Sequence, residues 1–115
     1  MFALKPVVAY YSVTQLNRFI RQWLEHDIGI VDVEGEVSNL SQPSSGHIYF
    51  TLKDSGAQLR CVYFKPYHQR GKVLDLTHGQ KIVARGRLSL YEVRGDYQLI
   101  VESITQSGLG DLFHQ

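Results

Sequence analysis

The sequence has 115 residues, which fits one domain, and 43% of them are hydrophobic, enough to bury a core. The net charge of +1 neither supports nor excludes nucleic acid, so any polyanion must be held by a local patch of charge. The single cysteine excludes a disulfide framework, and no apolar run approaches the roughly 18 residues of a membrane span, so no membrane partner is expected.

The first predicted element is an amphipathic helix. Ser12 is a suitable N-cap, and Gln15 three residues later completes a capping box. We expect the helix to end between Asp27 and Gly29 and to bury one apolar stripe against the rest of the domain. The stripe consists of Leu16, Phe19, Ile20, Trp23 and Leu24.

Alternation of apolar and polar residues then predicts five β-strands. The first strand contains Gly35, a residue of the kind that marks a bulge or a sharp bend. Between the third and fourth strands, 65–79 breaks the alternation and predicts a short helix or a crossover. The strands are predicted at about 31–38, 47–53, 59–64, 82–91 and 97–104.

This pattern favours an all-β fold with an added N-terminal helix, a five-stranded barrel of the oligonucleotide/oligosaccharide-binding (OB) type. An SH3-like barrel or a split sandwich fits the same pattern. The predicted organisation is a helical segment at 1–28 packed on the barrel, the OB-fold domain at 29–106, and the start of a linker at 107–115. The inward-facing candidates are Ile48, Phe50, Leu52, Leu59, Cys61, Tyr63, Ile82, Ala84, Gly86, Leu88, Leu90, Leu99 and Val101.

The outward face of the second strand carries rings and cations. In an OB barrel the ligand lies over the second and third strands, where Tyr49 offers a ring for base stacking worth about 1–3 kcal/mol per base. Lys53 and Arg60 supply charges for phosphates, and His47 adds a donor or a further ring. These four residues are the central candidates for nucleic-acid binding.

Three further arginines would extend the positively charged surface formed by Lys53 and Arg60. Arg85 and Arg87 share one face of the fourth strand, and Arg94 falls at a predicted hairpin turn. Exposed cations also keep barrel edges soluble, but solubility does not require an aromatic side chain beside them. Phe64 could be a second ring surface, although a bulky apolar residue at a strand end favours the core.

No pattern indicates catalysis. The histidines lack the spacing of zinc ligands, and Cys61 alternates with inward residues, so we expect a core filler and not a nucleophile. Asp32, Glu34 and Glu36 could cradle metal ions, but alternating acids are more typical of a solvated face, and we expect them to point away from the nucleic acid. The expectation is no catalytic residue, no metal ligand and no cofactor in this chain.

Three stretches carry a resemblance to a known family: VEGEVSN at 33–39, SSGHIYFTLKD at 44–54 and YEVRGDYQL at 91–99. Together with the residues between them, from about 11 to 112, the sequence resembles the large subunit of exodeoxyribonuclease VII. The resemblance implies a bacterial cytoplasmic enzyme that degrades single-stranded DNA from either end and is linked to DNA repair and DNA catabolism.

The same resemblance implies how this chain acts within such an enzyme. It would be an OB domain that binds single-stranded DNA and presents it to a downstream catalytic domain of the same chain, while the small subunits bind elsewhere. Because the sequence ends at Gln115, we expect it to bind single strands without cutting them. Only binding roles are therefore carried over, onto His47, Tyr49, Lys53, Arg60, Arg85, Arg87 and Arg94.

Two other functions stay open at this point. One is an RNA-binding OB domain similar to the anticodon-binding domains of some tRNA synthetases, because stacking serves either polymer and only contacts to the 2′-hydroxyl favour RNA. The other is a protein-interaction module in which the helix or a barrel face docks another subunit. An apolar patch left exposed after the helix has packed would favour this last function.

Overall fold

The structure, a computed structural model, describes residues 10–64 and 76–107. Its elements are α1 (Val13–Trp23), a π-helical turn (Leu24–Ile28), β1 (Ile30–Ser41), β2 (Ile48–Lys53), β3 (Gln58–Tyr63), β4 (Lys81–Tyr91) and β5 (Asp96–Gln106). The strands close into a barrel in the order β1-β2-β3-β5-β4, with every neighbouring pair antiparallel except β3 and β5. The predicted five-stranded barrel with an N-terminal helix is confirmed.

The helical segment begins and ends where the sequence predicts. Ser12 Oγ accepts a hydrogen bond from Gln15 N at 3.0 Å, and Gln15 Oε1 accepts one from Ser12 N at 2.9 Å, which confirms the capping box. The segment ends at Gly29, whose φ of +74° glycine adopts without steric cost. No helix in the described parts of the chain has the length and apolar composition needed to cross a membrane.

The apolar stripe of α1 is less buried than predicted. Of its five residues only Leu24 is buried, while Leu16 is 37% exposed and the other three lie between these extremes. The helical segment packs on the outside of β4, where it covers Ser89. Because the core of a closed barrel is enclosed by its strands, a helix laid on the outer surface buries only part of its apolar face.

Strand β1 bends so strongly that it pairs with two strands. Its first half is antiparallel to β4 and its second half to β2, with Glu36 opposite residues of both. Gly35 lies at this changeover, where a Cβ would come within 3.2 Å of Leu52 Cβ. The register is regular at Gly35, and the irregularity falls between Ser38 and Ser41. Of the two expectations for Gly35, the bend is therefore found at this residue, where the glycine permits close strand approach, and the bulge lies a few residues later.

The inward faces of the strands form one core, and most of the predicted inward residues belong to it. Leu59 and Leu88 pack against this core while partly exposed. The buried members of the core are Val37, Ile48, Phe50, Leu52, Cys61, Tyr63, Ile82, Ala84, Leu99 and Val101.

Cys61 lies in this core with none of its surface exposed, as predicted. Burial raises the pKa of its thiol to about 12. Because the thiolate is the reactive form, we expect Cys61 in the native chain to resist a disulfide reagent such as DTNB at mildly alkaline pH and to react fully only in denaturant. Rapid labelling of the native chain would contradict the buried position.

Three parts of the chain lie outside the described residues: 1–9, 65–75 and 108–115. They contain most of the predicted crossover at 65–79 and nearly all of the predicted linker at 107–115. The described end of the crossover is a turn in which Gln80 N donates to Thr77 O at 3.2 Å. Gly79 N donates to Val37 O at 2.8 Å and so joins this turn to β1.

Candidate nucleic-acid interface

Strands β2 and β3 together form one outer surface of the barrel. Antiparallel pairing places their residues directly opposite one another, with Cβ atoms about 5 Å apart. Thr51 lies opposite Arg60, and the alternation along β2 brings Tyr49 and Lys53 to the same side. We call this surface the β2–β3 wall; it comprises His47, Tyr49, Thr51, Lys53, Gln58, Arg60, Val62 and Phe64.

One end of the wall is aromatic. Tyr49 is 38% exposed, so part of its ring is available to a ligand. Just beyond the strand ends, the rings of His47 and Phe64 meet edge to face, with centroids 5.1 Å apart and planes at 89°. Phe64 is only half-buried and is not among the buried core residues, so the sequence-based preference for a core position is wrong.

At the other end of the wall the β4–β5 hairpin forms the side of a groove. The groove has a volume of about 340 Å³ and is lined by Thr51, Gln58, Arg60, Gly95, Asp96 and Tyr97. Ligands of OB barrels lie over β2 and β3 between the first and last hairpin loops, which is where this groove is found. Tyr97, 54% exposed, is a ring that the sequence analysis missed. Its place directly after the predicted hairpin turn was the available signal.

The unpaired positive charge of the described residues is concentrated near this wall. Within residues 10–64 and 76–107, Lys53, Arg60 and Lys81 have no carboxylate within salt-bridge distance, and the first two belong to the β2–β3 wall. A cation without a carboxylate partner remains available to a phosphate. The paired arginines are Arg18, Arg21, Arg85, Arg87 and Arg94.

Carboxylates limit the wall beside the β2–β3 turn. A second hollow of about 200 Å³ is lined by Lys53 together with Glu34 and Asp54, among other residues. Asp54 Oδ1 is held in place by hydrogen bonds from the backbone N–H groups of Gly56 and Ala57, each at 2.9 Å. Negative charge repels phosphate, so this end of the wall is unfavourable for an anionic ligand, and the groove also carries one carboxylate, that of Asp96.

Residues 11–105 match the family model described as an OB-fold nucleic acid binding domain. The chain belongs to this family. Over 104 residues it is also 58% identical to the exodeoxyribonuclease 7 large subunits of Legionella pneumophila strains Corby and Lens. Each match covers 90% of this chain and 24% of the relative, so this OB-fold domain spans about a quarter of their length. The resemblance noted from the sequence is confirmed.

A solved structure shows the same fold. The OB-fold domain is similar to a chain in the crystal structure of the S. pombe Stn1–Ten1 complex, with a TM-score of 0.53 and 18% identity. The likeness covers 66% of this chain and 56% of that chain. At this level of identity it shows the fold alone.

Two predicted binding residues lie on another side of the OB-fold domain. Arg85 and Arg87 point outward from β4, which is flanked by β1 and β5 and borders neither β2 nor β3. Arg85 is engaged by both oxygens of Asp32, at 2.9 and 3.0 Å, and its guanidinium lowers the pKa of that carboxyl. Arg87 lies 3.4 Å from Glu102. The structure does not bring these two arginines to the β2–β3 wall, because strand order places them across the barrel.

Arg94 lies in the turn of the β4–β5 hairpin that borders the groove. Its guanidinium is 3.6 Å from Asp96, and its side chain is 63% exposed. At this distance and exposure the ion pair is weak, so it does not prevent Arg94 from meeting a ligand. Arg94 therefore lies next to Gly95, which lines the groove, although Arg94 itself is not one of the lining residues.

The three acids of β1 are exposed on its outer face, as expected of a solvated face. Asp32 is paired with Arg85, and Glu34 accepts a hydrogen bond from Ser107 Oγ. Glu34 and Glu36 differ from the expectation that all three point away from the wall, because Glu34 lines the second hollow together with Lys53 and Glu36 lies opposite Lys53 in the β1–β2 register. Among the described residues, no group of three or more His, Cys, Asp or Glu side chains is arranged to hold a metal ion.

Proposed function

We propose that this chain binds single-stranded DNA across the β2–β3 wall, as the OB domain of an exodeoxyribonuclease VII large subunit. The observation that carries the proposal is the position of Arg60. Its side chain is exposed, has no carboxylate partner among the described residues, and lines the groove beside Tyr97. Tyr49 lies on the same wall, two positions along β2 from Thr51, the residue opposite Arg60.

This arrangement suits an unpaired strand for a physical reason. A base can stack on Tyr49 or Tyr97 only when its own face is free, which is true of single strands and not of the interior of a duplex. Arg60 and Lys53 lie on the same face of β2 and β3 as Tyr49, so they are placed to meet phosphates of a strand stacked there. Because the attraction is local, the near-neutral net charge of the chain does not oppose it.

In the longer protein, the domain would present the strand to a catalytic domain. The relatives are named exodeoxyribonuclease 7 large subunit, and this chain spans about a quarter of their length. We assign cleavage of DNA from either end, and contact with the small subunits, to the remaining parts of such a protein. On the same relationship we also propose a role in DNA repair and DNA catabolism in the bacterial cytoplasm.

Two alternatives have specific support. The first alternative is RNA binding. The description of the matched family names nucleic acid without distinguishing DNA from RNA, and the polar groups of the groove can bind either polymer. A protein-interaction surface is the other, since Tyr10, Val13 and Val93 are 81%, 77% and 84% exposed.

A titration with labelled oligo-dT, oligo-rU and a duplex of equal length, at several salt concentrations, separates these functions. We expect oligo-dT to bind more tightly than the duplex, with log K falling linearly with log salt. If Lys53 and Arg60 each contact one phosphate, the slope is about −1.4. A clear preference for oligo-rU would support the RNA alternative, and failure to bind any of the three would contradict nucleic-acid binding.

A further inference from the structure

The β4–β5 hairpin forms one side of the groove, and its strands stay paired up to Tyr91 and Asp96, so the turn at 92–95 is the part without strand pairing. Its turn is closed by two backbone hydrogen bonds to Tyr91 O, from Arg94 N at 3.2 Å and from Gly95 N at 2.8 Å. The neighbouring side chains are largely in solvent, with Val93 84% and Tyr97 54% exposed. The turn itself buries little apolar surface, so contacts from another element limit its motion and that of the adjoining strand ends.

Asn17 of α1 attaches to the backbone of this hairpin. Its Nδ2 donates to the carbonyl oxygen of Glu92 at 2.9 Å, between residues 75 positions apart. The same side-chain nitrogen lies 3.4 Å from the position that a Cβ would take at Gly95, a residue that lines the groove. Asn17 therefore bonds to the first residue of the turn and lies close to the last.

The carboxylate of Glu92 adds a charged attachment to the same helix. It accepts a hydrogen bond from Arg21 Nη1 at 2.7 Å, and Arg18 Nε lies 3.7 Å from its other oxygen. The Glu92 side chain is 24% exposed, so water and salt screen this pair less than a fully exposed one. The hydrogen bond from Arg21 to Glu92 raises the pKa of the arginine.

Arg21 also ties the helical segment to β4 just before the hairpin. Its Nε donates to Glu25 Oε2 at 3.0 Å, and Ser89 Oγ donates to the same oxygen at 2.5 Å. Arg21 thus links the Glu25–Ser89 contact to Glu92. None of these side chains belongs to the β2–β3 wall or lines the groove.

We propose that Asn17, Arg21 and Glu92 are positioning residues for nucleic-acid binding, which hold the hairpin, and with it Tyr97, at the edge of the groove. The inference rests on the proposed function, since it assumes that the groove binds nucleic acid. The helix makes no contact with the bound strand and acts only through the hairpin. Loss of these attachments weakens binding by freeing the hairpin, while the number of phosphate contacts stays the same.

The test compares Asn17→Ala with Gln22→Ala in the 115-residue chain, because Gln22 is an exposed amide on the same helix. We expect Asn17→Ala to weaken oligo-dT binding about three- to tenfold, the effect of one lost hydrogen bond, and Gln22→Ala to leave it unchanged. The salt slope should be that of the wild type in both. Arg60→Ala, in contrast, should make the slope shallower by about 0.7. Glu92→Gln, which keeps the shape of the side chain, should weaken binding in the same way as Asn17→Ala.

Two further measurements distinguish positioning from simple stabilisation. In a Tyr97→Ala background, Asn17→Ala should weaken oligo-dT binding by less than about twofold, because the Tyr97 contact that Asn17 positions is already gone. Amide hydrogen exchange at 92–97 should be faster in Asn17→Ala than in the wild type, while exchange in the buried parts of β2 and β4 stays unchanged.

The inference is overturned if Asn17→Ala and Glu92→Gln lower the melting temperature yet bind oligo-dT as tightly as the wild type well below it. That result would leave the proposed function intact, because Arg60→Ala would still weaken binding and change the salt slope. Absence of oligo-dT binding by the wild type would instead overturn the proposed function and the inference together.

Discussion

Replacing Tyr49 by alanine should weaken binding of single-stranded DNA by about 1–3 kcal/mol, or about five- to 150-fold in Kd. The ring is 38% exposed on the β2–β3 wall and lies opposite Val62, which is buried. Truncation removes the stacking surface and leaves the neighbouring cations in place. Fluorescence anisotropy with labelled oligo-dT at one fixed salt concentration measures the change.

Tyr49→Phe is the matched control for this substitution. Stacking needs the ring and not the hydroxyl, so the phenylalanine variant should bind within about twofold of the wild type. The salt slope should be the same for both variants, since neither removes a positive charge. If Tyr49→Ala folds normally and keeps its affinity, Tyr49 is not part of the binding site.

Replacing Gly86 by alanine should destabilise the barrel by about 3 kcal/mol or more. A Cβ at this position would overlap Ile100 O and lie 2.8 Å from Ile100 C and 2.9 Å from Val101 Cα. All three are backbone atoms of β5, so the clash is relieved only by moving a strand. The register of β4 and β5 also shifts between Arg85 and Gly86. Urea unfolding, followed by the fluorescence of the single tryptophan, measures the change in the free energy of unfolding.

Gly56→Ala provides the comparison for Gly86→Ala. A Cβ at Gly56 would meet only Asp54 Oδ1, at an ordinary 3.9 Å, and the backbone N–H that donates to that carboxylate is retained. We expect its free energy of unfolding to stay within about 1 kcal/mol of the wild type. A Gly86→Ala variant as stable as the Gly56→Ala variant would show that the two strands are not in close contact at Gly86.

Much of the fold could be predicted because its signals are local. The capping box of Ser12 and Gln15 and the alternation through β2 and β3 depend on residues a few positions apart, and both were predicted correctly. Gly35 shows the limit of such signals. A glycine in a strand indicates either a bulge or close packing, and only the position of Leu52 from the neighbouring strand decides for packing.

The candidate site was predictable to the extent that it follows strand alternation. Tyr49, Lys53 and Arg60 share a face because residues two apart in a strand do so and because β2 and β3 are joined by a short hairpin. Alternation also placed Arg85 correctly on the outer face of its own strand. Which side of the barrel that face occupies depends on the strands that flank β4, and alternation does not show this. Tyr97 was missed for the related reason that its neighbours in the groove come from β2 and β3.

The sequence by itself determined the class of fold, the inward and outward faces of each strand, and the family, because all three depend on the order of residues along the chain. The tertiary structure alone decided which charges are free and which are neutralised, since ion pairs such as Arg85 with Asp32 join residues 53 positions apart. It also decided that α1 reaches across to the hairpin at the groove. Such contacts arise only when the barrel closes, and no periodicity along the chain records them.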